Sequence, residues 1–134
     1  MNIIIVGHDQ RAQITGKSLH LMTHRVTFIS QDEQYSMQMA NMLQQPAFFG
    51  DATKAEILES ADIFHCDLLV AMTEKDADNL LICELAKKKY GVQQTLATVE
   101  NLNNCTVFQR LGVDFVLCPA EACSQLLVRT IFPD

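Results

Sequence analysis

The amino-acid sequence predicts an α/β fold: a doubly wound sheet of six parallel strands in the order 3-2-1-4-5-6, with helices on both faces. Short apolar runs alternate with helical patterns along the whole chain, which is typical of parallel strands joined by right-handed crossovers. The chain also opens as strand, glycine turn, helix and strand, the layout of a βαβ unit. Together these patterns indicate a Rossmann-like fold, and 134 residues suffice for one domain.

The first half of the chain supplies three predicted strands, at residues 2–6, 26–29 and 47–49. Between the first two, a helix carries small residues on one stripe, so it can lie close to the sheet; these are Ala12, Thr15 and Gly16, followed by Leu19. The second helix is predicted from Glu33 to Leu43, and Pro46 stops it.

The fourth strand, residues 67–72, is apolar on both faces, as a sheet covered on both sides requires. Before it, Thr53 to Glu56 has the spacing of a capping box and predicts a short third helix beginning there. After it, Thr73 is predicted to cap a long fourth helix that Gly91 ends. The lysines at 87–89 fall in its last turn, where they complement the negative helix end.

The last two strands are predicted at residues 94–99 and 114–117, with a helix between them that Gly112 closes. Pro119 begins a final helix whose apolar stripe comprises Ala122, Leu126, Leu127 and Ile131. Two roles fit this stripe equally, ordinary packing on the sheet or contact with a second copy of the domain.

Composition excludes several classes of function. The 16 acidic and 10 basic residues give a net charge of −6, and no basic face for nucleic acid is present. The longest apolar runs are about five residues, far short of the roughly 20 that cross a bilayer. No cationic leader precedes the first strand. A cytoplasmic domain without membrane insertion is expected.

Cysteine and histidine spacing gives no sign of a metal site or a catalytic group. The five cysteines have no C-x-x-C spacing, and four fall in apolar segments, so reduced core cysteines are expected. His20 and His24 form the one H-x-x-x-H pair, without an accompanying acid, and are expected to face solvent.

Ligands of doubly wound sheets bind beyond the carboxyl ends of the strands, where the first and fourth strands meet. Five segments of this chain reach that edge, at residues 7–11, 30–32, 50–53, 72–76 and 98–100. The candidate cofactor-binding residues among them are Gly7, His8, Asp9, Gln10, Arg11, Ser30, Gln31, Asp32, Asp51, Ala52, Thr53, Met72, Thr73 and Asp76.

The turn Gly50-Asp51-Ala52-Thr53, together with residues 71–81 and 111–119, identifies a resemblance. Over essentially all 134 residues the chain resembles the N-terminal domain of the Trk and Ktr potassium-uptake regulators, also called RCK or KTN domains. The resemblance implies a single domain at residues 1–134 and places Gly7, Ser30, Asp51, Ala52 and Thr73 in a nucleotide pocket, with Asp76 and Asn79 at its mouth.

The same resemblance implies a non-catalytic module that binds NAD(H) or another adenine nucleotide (AMP, ADP or ATP). Such a module acts at the inner face of the membrane, where it gates a channel or transporter for potassium or another monovalent cation. Homodimers or larger rings are implied as well.

The chain departs from the dinucleotide-binding pattern at several positions. Asp9 and Ala12 replace the second and third glycines, and Asp9 puts a carboxylate where a pyrophosphate needs bare amides. Ser30 stands where an acid holds the ribose, although Asp32 can substitute if the turn bends inward. Asp9 is also a good N-cap, and Arg11 can offset its charge.

These departures leave two alternatives to the regulatory module. One is a nucleotide-free scaffold that only dimerises, since Thr98 also replaces a basic residue that the family tends to have. The other is a small NAD-dependent oxidoreductase, for which the sequence offers neither a substrate domain nor a proton donor.

Overall fold

The computed structural model describes residues 1–134 and confirms the predicted sheet. Six parallel strands lie in the order β3-β2-β1-β4-β5-β6. They are β1 (Asn2–Val6), β2 (Arg25–Ser30), β3 (Ala47–Phe49), β4 (Leu68–Ala71), β5 (Gln94–Thr98) and β6 (Phe115–Leu117). The six helices are α1 (Gln10–Leu21), α2 (Glu33–Leu43), α3 (Ala55–Ser60), α4 (Asp76–Glu84), α5 (Cys105–Arg110) and α6 (Pro119–Ile131).

The sheet separates two apolar clusters, one on each face, because side chains alternate along each strand. On one face, Ile5 and Phe28 pack with residues of α1 and α2. On the other, Ile4 and Leu69 pack with residues of α3, α4 and α5. β1 and β4 lie at the centre of the sheet and contribute to both clusters.

Two glycines let parts of the fold approach closely. A Cβ at Gly16 would lie 2.4 Å from the ring of Phe28, so this glycine lets α1 lie against β2. Gly7 has φ +152°, and a Cβ there would lie 2.8 Å from the Met72 carbonyl oxygen. A glycine at residue 7 is thus required where the ends of β1 and β4 meet.

Two predicted helix caps are wrong. Thr53 does not cap α3, because its hydroxyl donates to Asp51 Oδ1 at 2.7 Å and the helix begins at Ala55. Thr73 does not cap α4, because its hydroxyl is bonded to Asn79 Oδ1 at 2.6 Å and the helix begins at Asp76. In both places the threonine hydroxyl donates to a nearby side-chain oxygen and does not cap the helix.

The fourth helix changes character before its lysines. After Glu84 the chain forms a π-helical turn, Leu85–Lys89, which no sequence pattern indicated. Lys87 Nζ then reaches Asp114 at 2.7 Å and the Gln93 carbonyl oxygen at 2.8 Å, which ties the turn to the segments before β6 and β5.

The final helix does not pack on the sheet, so that expected role is wrong for the single chain. No residue of α6 is buried, and every residue from Cys123 to the end is exposed. The exposed set includes Leu126, Leu127, Val128 and Ile131. On the same face as α1, β6 presents Phe115 and Leu117, which are 49% and 48% exposed.

The cysteines are free thiols: Cys66, Cys83 and Cys118 are buried, Cys105 is half-buried and Cys123 is exposed. Burial raises the pKa of the Cys66 thiol to about 11 and that of Cys83 to about 12, so both stay protonated at neutral pH. None of the helices has the length and apolar character needed to cross a membrane.

Candidate functional site

A pocket opens at the carboxyl edge of the sheet, between the ends of β1, β2, β3 and β4. It brings together eight of the residues predicted from the strand ends, namely Gly7, His8, Ser30, Gln31, Asp51, Ala52, Thr53 and Thr73. Glu74 and Lys75, inside the predicted segment 72–76, also line it.

The other predicted residues do not line this pocket. Asp9, Gln10 and Arg11 lie at the start of α1, Asp32 precedes α2, and Met72, Asp76 and Asn79 lie behind or beside the Thr73 turn. Asp78 lines the pocket although no strand-end argument selected it. Its position in the first turn of α4, the helix that follows β4, is the sequence feature that could have identified it.

Asp51 offers the pocket a charged acceptor. Its Oδ1 accepts from the Thr53 backbone N–H at 2.9 Å and from the Thr53 hydroxyl at 2.7 Å. These two hydrogen bonds outweigh partial burial and hold the pKa of Asp51 below its usual value of 3.8. Its Oδ2 has no partner within the protein, so this oxygen can accept from ligand hydroxyl groups.

Ser30 and Asp32 are joined in a turn that engages their polar groups within the protein. Ser30 is buried, and its Oγ accepts from the Asp32 backbone N–H at 2.8 Å. Asp32 caps α2, where Oδ1 accepts from the Tyr35 backbone N–H at 3.0 Å. The turn therefore does not bend inward, and Asp32 does not replace the missing acid.

Behind the pocket, Asn79 fixes the Thr73 turn. Its side chain is fully buried and accepts from Thr73 N at 3.0 Å and Thr73 Oγ1 at 2.6 Å. It also donates to the carbonyl oxygens of Thr73 at 3.0 Å and Thr98 at 2.9 Å. A single amide therefore connects the ends of β4 and β5.

Asp9 is the N-cap of α1, as predicted. Its Oδ1 accepts from the Ala12 backbone N–H at 3.0 Å, and its Oδ2 lies 2.7 Å from Arg11 Nη2. Burial raises the pKa of Asp9, but these hydrogen bonds and the guanidinium lower it more, so the group is a carboxylate at neutral pH. Arg11 Nη2 also lies 3.3 Å from Glu100 Oε1.

Asp76 anchors the loop that carries Glu100. Its carboxylate accepts from the backbone N–H of Glu100 at 2.8 Å and of Asn101 at 3.1 Å, and from Asn104 Nδ2 at 2.9 Å. Burial raises the pKa of Asp76, but these three donors lower it below the usual value. This residue holds the loop and is turned away from the pocket.

A larger cavity of 370 Å³ lies at the opposite, amino edge of the sheet, beneath Pro46 and Ala61. Its polar side chains are largely engaged within the protein. Asn2 Nδ2 donates to the His65 carbonyl oxygen at 3.0 Å, and Gln45 Oε1 accepts from Val26 N at 3.2 Å. The carboxyl edge, with its free carboxylate oxygen, is the better candidate site.

The residues at this edge fit one half of a dinucleotide better than the other. Gly7 lines the pocket at the end of β1, and Asp51 Oδ2 can accept from a sugar hydroxyl. At the start of α1, in contrast, an amide that a pyrophosphate would use is taken by Asp9. No group of three or more His, Cys, Asp or Glu side chains is placed to hold a metal ion.

The chain is similar to proteins of potassium transport. The family model described as "TrkA-N domain" matches residues 3–119. A Trk system potassium uptake protein TrkA homolog from Methanothermobacter thermautotrophicus is 29% identical over 131 residues, which cover 98% of this chain and 60% of that protein. The chain therefore spans less than two thirds of the length of this relative.

Solved structures share the fold at low sequence identity. The TrkA-N domain of the inner membrane protein YbaL from Escherichia coli has a TM-score of 0.88 at 14% identity, covering 96% of this chain and 95% of that one. The Kef C-terminal domain from Shewanella denitrificans in its AMP-bound form has a TM-score of 0.77 at 22% identity, covering 98% and 80%. The GsuK channel bound to NAD has a TM-score of 0.76 at 16% identity, covering 87% and 21%.

Proposed function

Because the chain belongs to the TrkA-N domain family, we propose that it is a cytoplasmic, non-catalytic regulatory module of potassium or other monovalent cation transport. In this role it binds an adenine nucleotide at the carboxyl edge of the sheet and passes the ligand state to a membrane channel or transporter. The mechanism is a population shift, in which the nucleotide favours one arrangement of paired domains over another.

The observation that carries this proposal is the pocket shared by the ends of β1, β2, β3 and β4. Gly7, Ala52 and Thr73 line this space together with Asp51, whose Oδ2 has no partner within the protein. Asp51 would hold the ribose hydroxyls, which Ser30 cannot do with its Oγ engaged by Asp32. Relatives and neighbours named for potassium uptake, or solved with AMP or NAD, support the same assignment.

The test is thermal stability and calorimetry of the 134-residue chain with AMP, ADP, ATP, NAD and NADH. A ligand that binds only the folded state at 100 times its Kd stabilises that state by about 2.7 kcal/mol. We expect at least one adenine nucleotide to raise Tm and Asp51→Asn to weaken that effect. Asp134→Asn, which removes one carboxylate at the exposed C-terminal residue, is the matched control.

The same experiment distinguishes the regulatory module from a nucleotide-free scaffold. The scaffold is favoured by the Ala12 N–H, which donates to Asp9 and is not available to a phosphate. If no adenine nucleotide shifts Tm or releases heat, the ligand-gated module is wrong. The chain would then act through association with a partner alone.

The module acts as a pair of domains, and α6 supports this part of the proposal. A helix of 13 residues is marginal in water unless its apolar side is covered. Leu127 and Ile131 are 57% and 66% exposed, and the β6 face beside Phe115 is also uncovered, with Phe115 and Leu117 49% and 48% exposed. A second copy supplies both surfaces, the helix and the face, in a reciprocal contact.

Analytical ultracentrifugation tests the pairing. We expect a homodimer or larger ring at micromolar concentration and a monomer for the double variant Leu127→Lys and Ile131→Lys. Ser124→Lys and Gln125→Lys on the same helix are the control for added charge. A wild-type chain that stays monomeric at every concentration tested contradicts this contact.

A further inference from the structure

We propose that the pocket takes a mononucleotide such as AMP and excludes the dinucleotide NAD(H), because a bridge of side chains crosses the crevice that the second nucleotide would occupy. This inference rests on the proposed function and names its ligand class. The bridge consists of Asp9, Arg11 and Glu100.

The position of the bridge follows from the strand order. Dinucleotides lie across the crevice where the strand order reverses, with the pyrophosphate at the start of the first helix. In this sheet that point lies between β1 and β4, and β5 follows β4. Asp9 and Arg11, 2.7 Å apart, stand on the β1 side, and Glu100 follows β5, so the 3.3 Å contact from Arg11 to Glu100 passes over the end of β4.

The bridge also occupies the groups that would bind phosphate. Asp9 Oδ1 holds the Ala12 N–H, one of the free amides of the helix start, where an anion would otherwise bind. The guanidinium of Arg11 already faces two carboxylates. Three charged groups with a net charge of −1 therefore replace the positive site that a pyrophosphate requires.

Both ends of the bridge are held by the backbone. Asp9 is fixed as the N-cap of α1. Glu100 lies in a loop that Asp76 holds through three hydrogen bonds. A ligand that displaced Arg11 would leave Asp9 and Glu100 facing each other without a cation between them.

The pocket that stays open includes no residue of the bridge. The pocket is lined from the ends of β1, β2, β3 and β4 and the start of α4, with no residue from Asp9 to Arg11 and none after β5. Its acidic side chains are Asp51, Glu74 and Asp78, and its one lysine or arginine is Lys75. Because the lining has three carboxylates and one ammonium group, it accommodates a single phosphate group beside Lys75 but disfavours a chain of several phosphates.

The experiment compares AMP with NADH by calorimetry on the 134-residue chain and on two variants. Glu100→Gln cuts the bridge at an exposed side chain, and Asp9→Asn removes the charge but keeps a residue that caps helices well. We expect wild-type chain to bind AMP at least tenfold more tightly than NADH, and the double variant to gain about tenfold in NADH affinity. AMP affinity should change much less than NADH affinity.

Asp62→Asn removes the same charge at the amino edge of the sheet, opposite the pocket, and should leave both affinities unchanged. Wild-type chain that binds NADH as tightly as AMP, or a bridge variant without a gain for NADH, overturns the inference but leaves the proposed function standing. If Asp9→Asn does not fold, Glu100→Gln alone decides the question. Absence of binding by any adenine nucleotide to any variant removes the proposed function as well.

Discussion

Asn79 is the residue on which the geometry of the candidate pocket most depends. Its fully buried amide makes four hydrogen bonds that join the Thr73 turn to the carbonyl oxygen of Thr98. Burial without these partners would cost free energy for each group left unsatisfied. The residue therefore fixes the position of Thr73 at the edge of the pocket.

Asn79→Ala should lower the free energy of unfolding by about 2–4 kcal/mol, because it leaves the Thr73 N–H and the Thr98 carbonyl oxygen without partners. Urea denaturation measures the change. Asn103→Ala, at an exposed position whose side chain makes no hydrogen bond in the structure, should stay within about 0.5 kcal/mol of wild type. Equal losses for the two variants would contradict this role.

Asp114 links the acid stability of the domain to the π turn. Burial raises its pKa, but Lys87 Nζ at 2.7 Å and two donors of Thr95 lower the pKa by more than burial raises it. The pKa of Asp114 therefore lies below its usual value of 3.8. A carboxyl whose folded pKa is depressed contributes stability above its unfolded pKa and loses it as pH falls through the folded pKa. The contribution should therefore be complete at neutral pH and decline as pH falls below 3.8.

Asp114→Asn should lower the free energy of unfolding at pH 7 by up to about 1 kcal/mol, since the pair is partly exposed. The difference from wild type should shrink as pH is lowered through the window below 3.8. Urea denaturation from pH 7 to acid conditions provides the measurement. A difference that stays constant with pH would show that the carboxylate charge is not the cause.

At the residue level, part of the candidate site could be predicted from residues that are neighbours in the sequence. Asp9 as a cap and Arg11 beside it follow from adjacent positions in the sequence, and the structure confirms both. The pairing of Arg11 with Glu100 joins residues 89 positions apart, which no local pattern reports. The two predicted caps failed because the hydroxyls of Thr53 and Thr73 donate instead to Asp51 Oδ1 and Asn79 Oδ1, two and six positions away.

Among the elements, α1 shows how a small residue sets the distance between helix and sheet. Gly16 places no side chain between α1 and the Phe28 ring, and a Cβ there would lie 2.4 Å from that ring. In an ordinary helix interior alanine is preferred over glycine by about 1 kcal/mol. Close packing here reverses that preference.

Gly16→Ala should lower the free energy of unfolding by about 1–3 kcal/mol, because the added methyl forces α1 and β2 apart. Thermal or urea denaturation measures it. Ser18→Ala, at an exposed position of the same helix, should instead be neutral or slightly stabilising. A stabilised Gly16→Ala variant would mean that Phe28 moves aside without cost.

The strands and their order could be predicted from the sequence, but the packing of the last helix could not. All six strands and their order follow from the alternation of apolar runs with helical patterns. The amphipathic stripe of α6 was visible as well, but its detachment from the sheet was not. Whether such a stripe covers the same chain or another depends on the direction of the chain after Pro119, which periodicity does not contain.

On the scale of the whole molecule, the sheet divides the core into two clusters that share no face. Ile5 and Phe28 belong to the cluster under α1 and α2, and Ile82 belongs to the cluster under α4. Distant substitutions without shared partners add in their effects on stability, whereas neighbours couple. The sheet should therefore insulate the clusters from each other.

The double variant Ile5→Val and Ile82→Val should lose the sum of the two single losses within about 0.5 kcal/mol. Ile5→Val combined with Phe28→Leu, a pair in register on adjacent strands, should deviate from additivity by more than that. Double-mutant cycles in urea give both values. Strong coupling across the sheet would contradict insulation.

The exposure of α6 also gives the molecule a built-in reporter of its own assembly. From Cys123 onward its backbone hydrogen bonds have no protein cover, so in a lone chain its amide hydrogens should exchange rapidly with deuterium. Contact with a second copy would slow that exchange while leaving the central strands unchanged. Deuterium uptake at α6, followed against protein concentration, would thus read how many chains are assembled without any label.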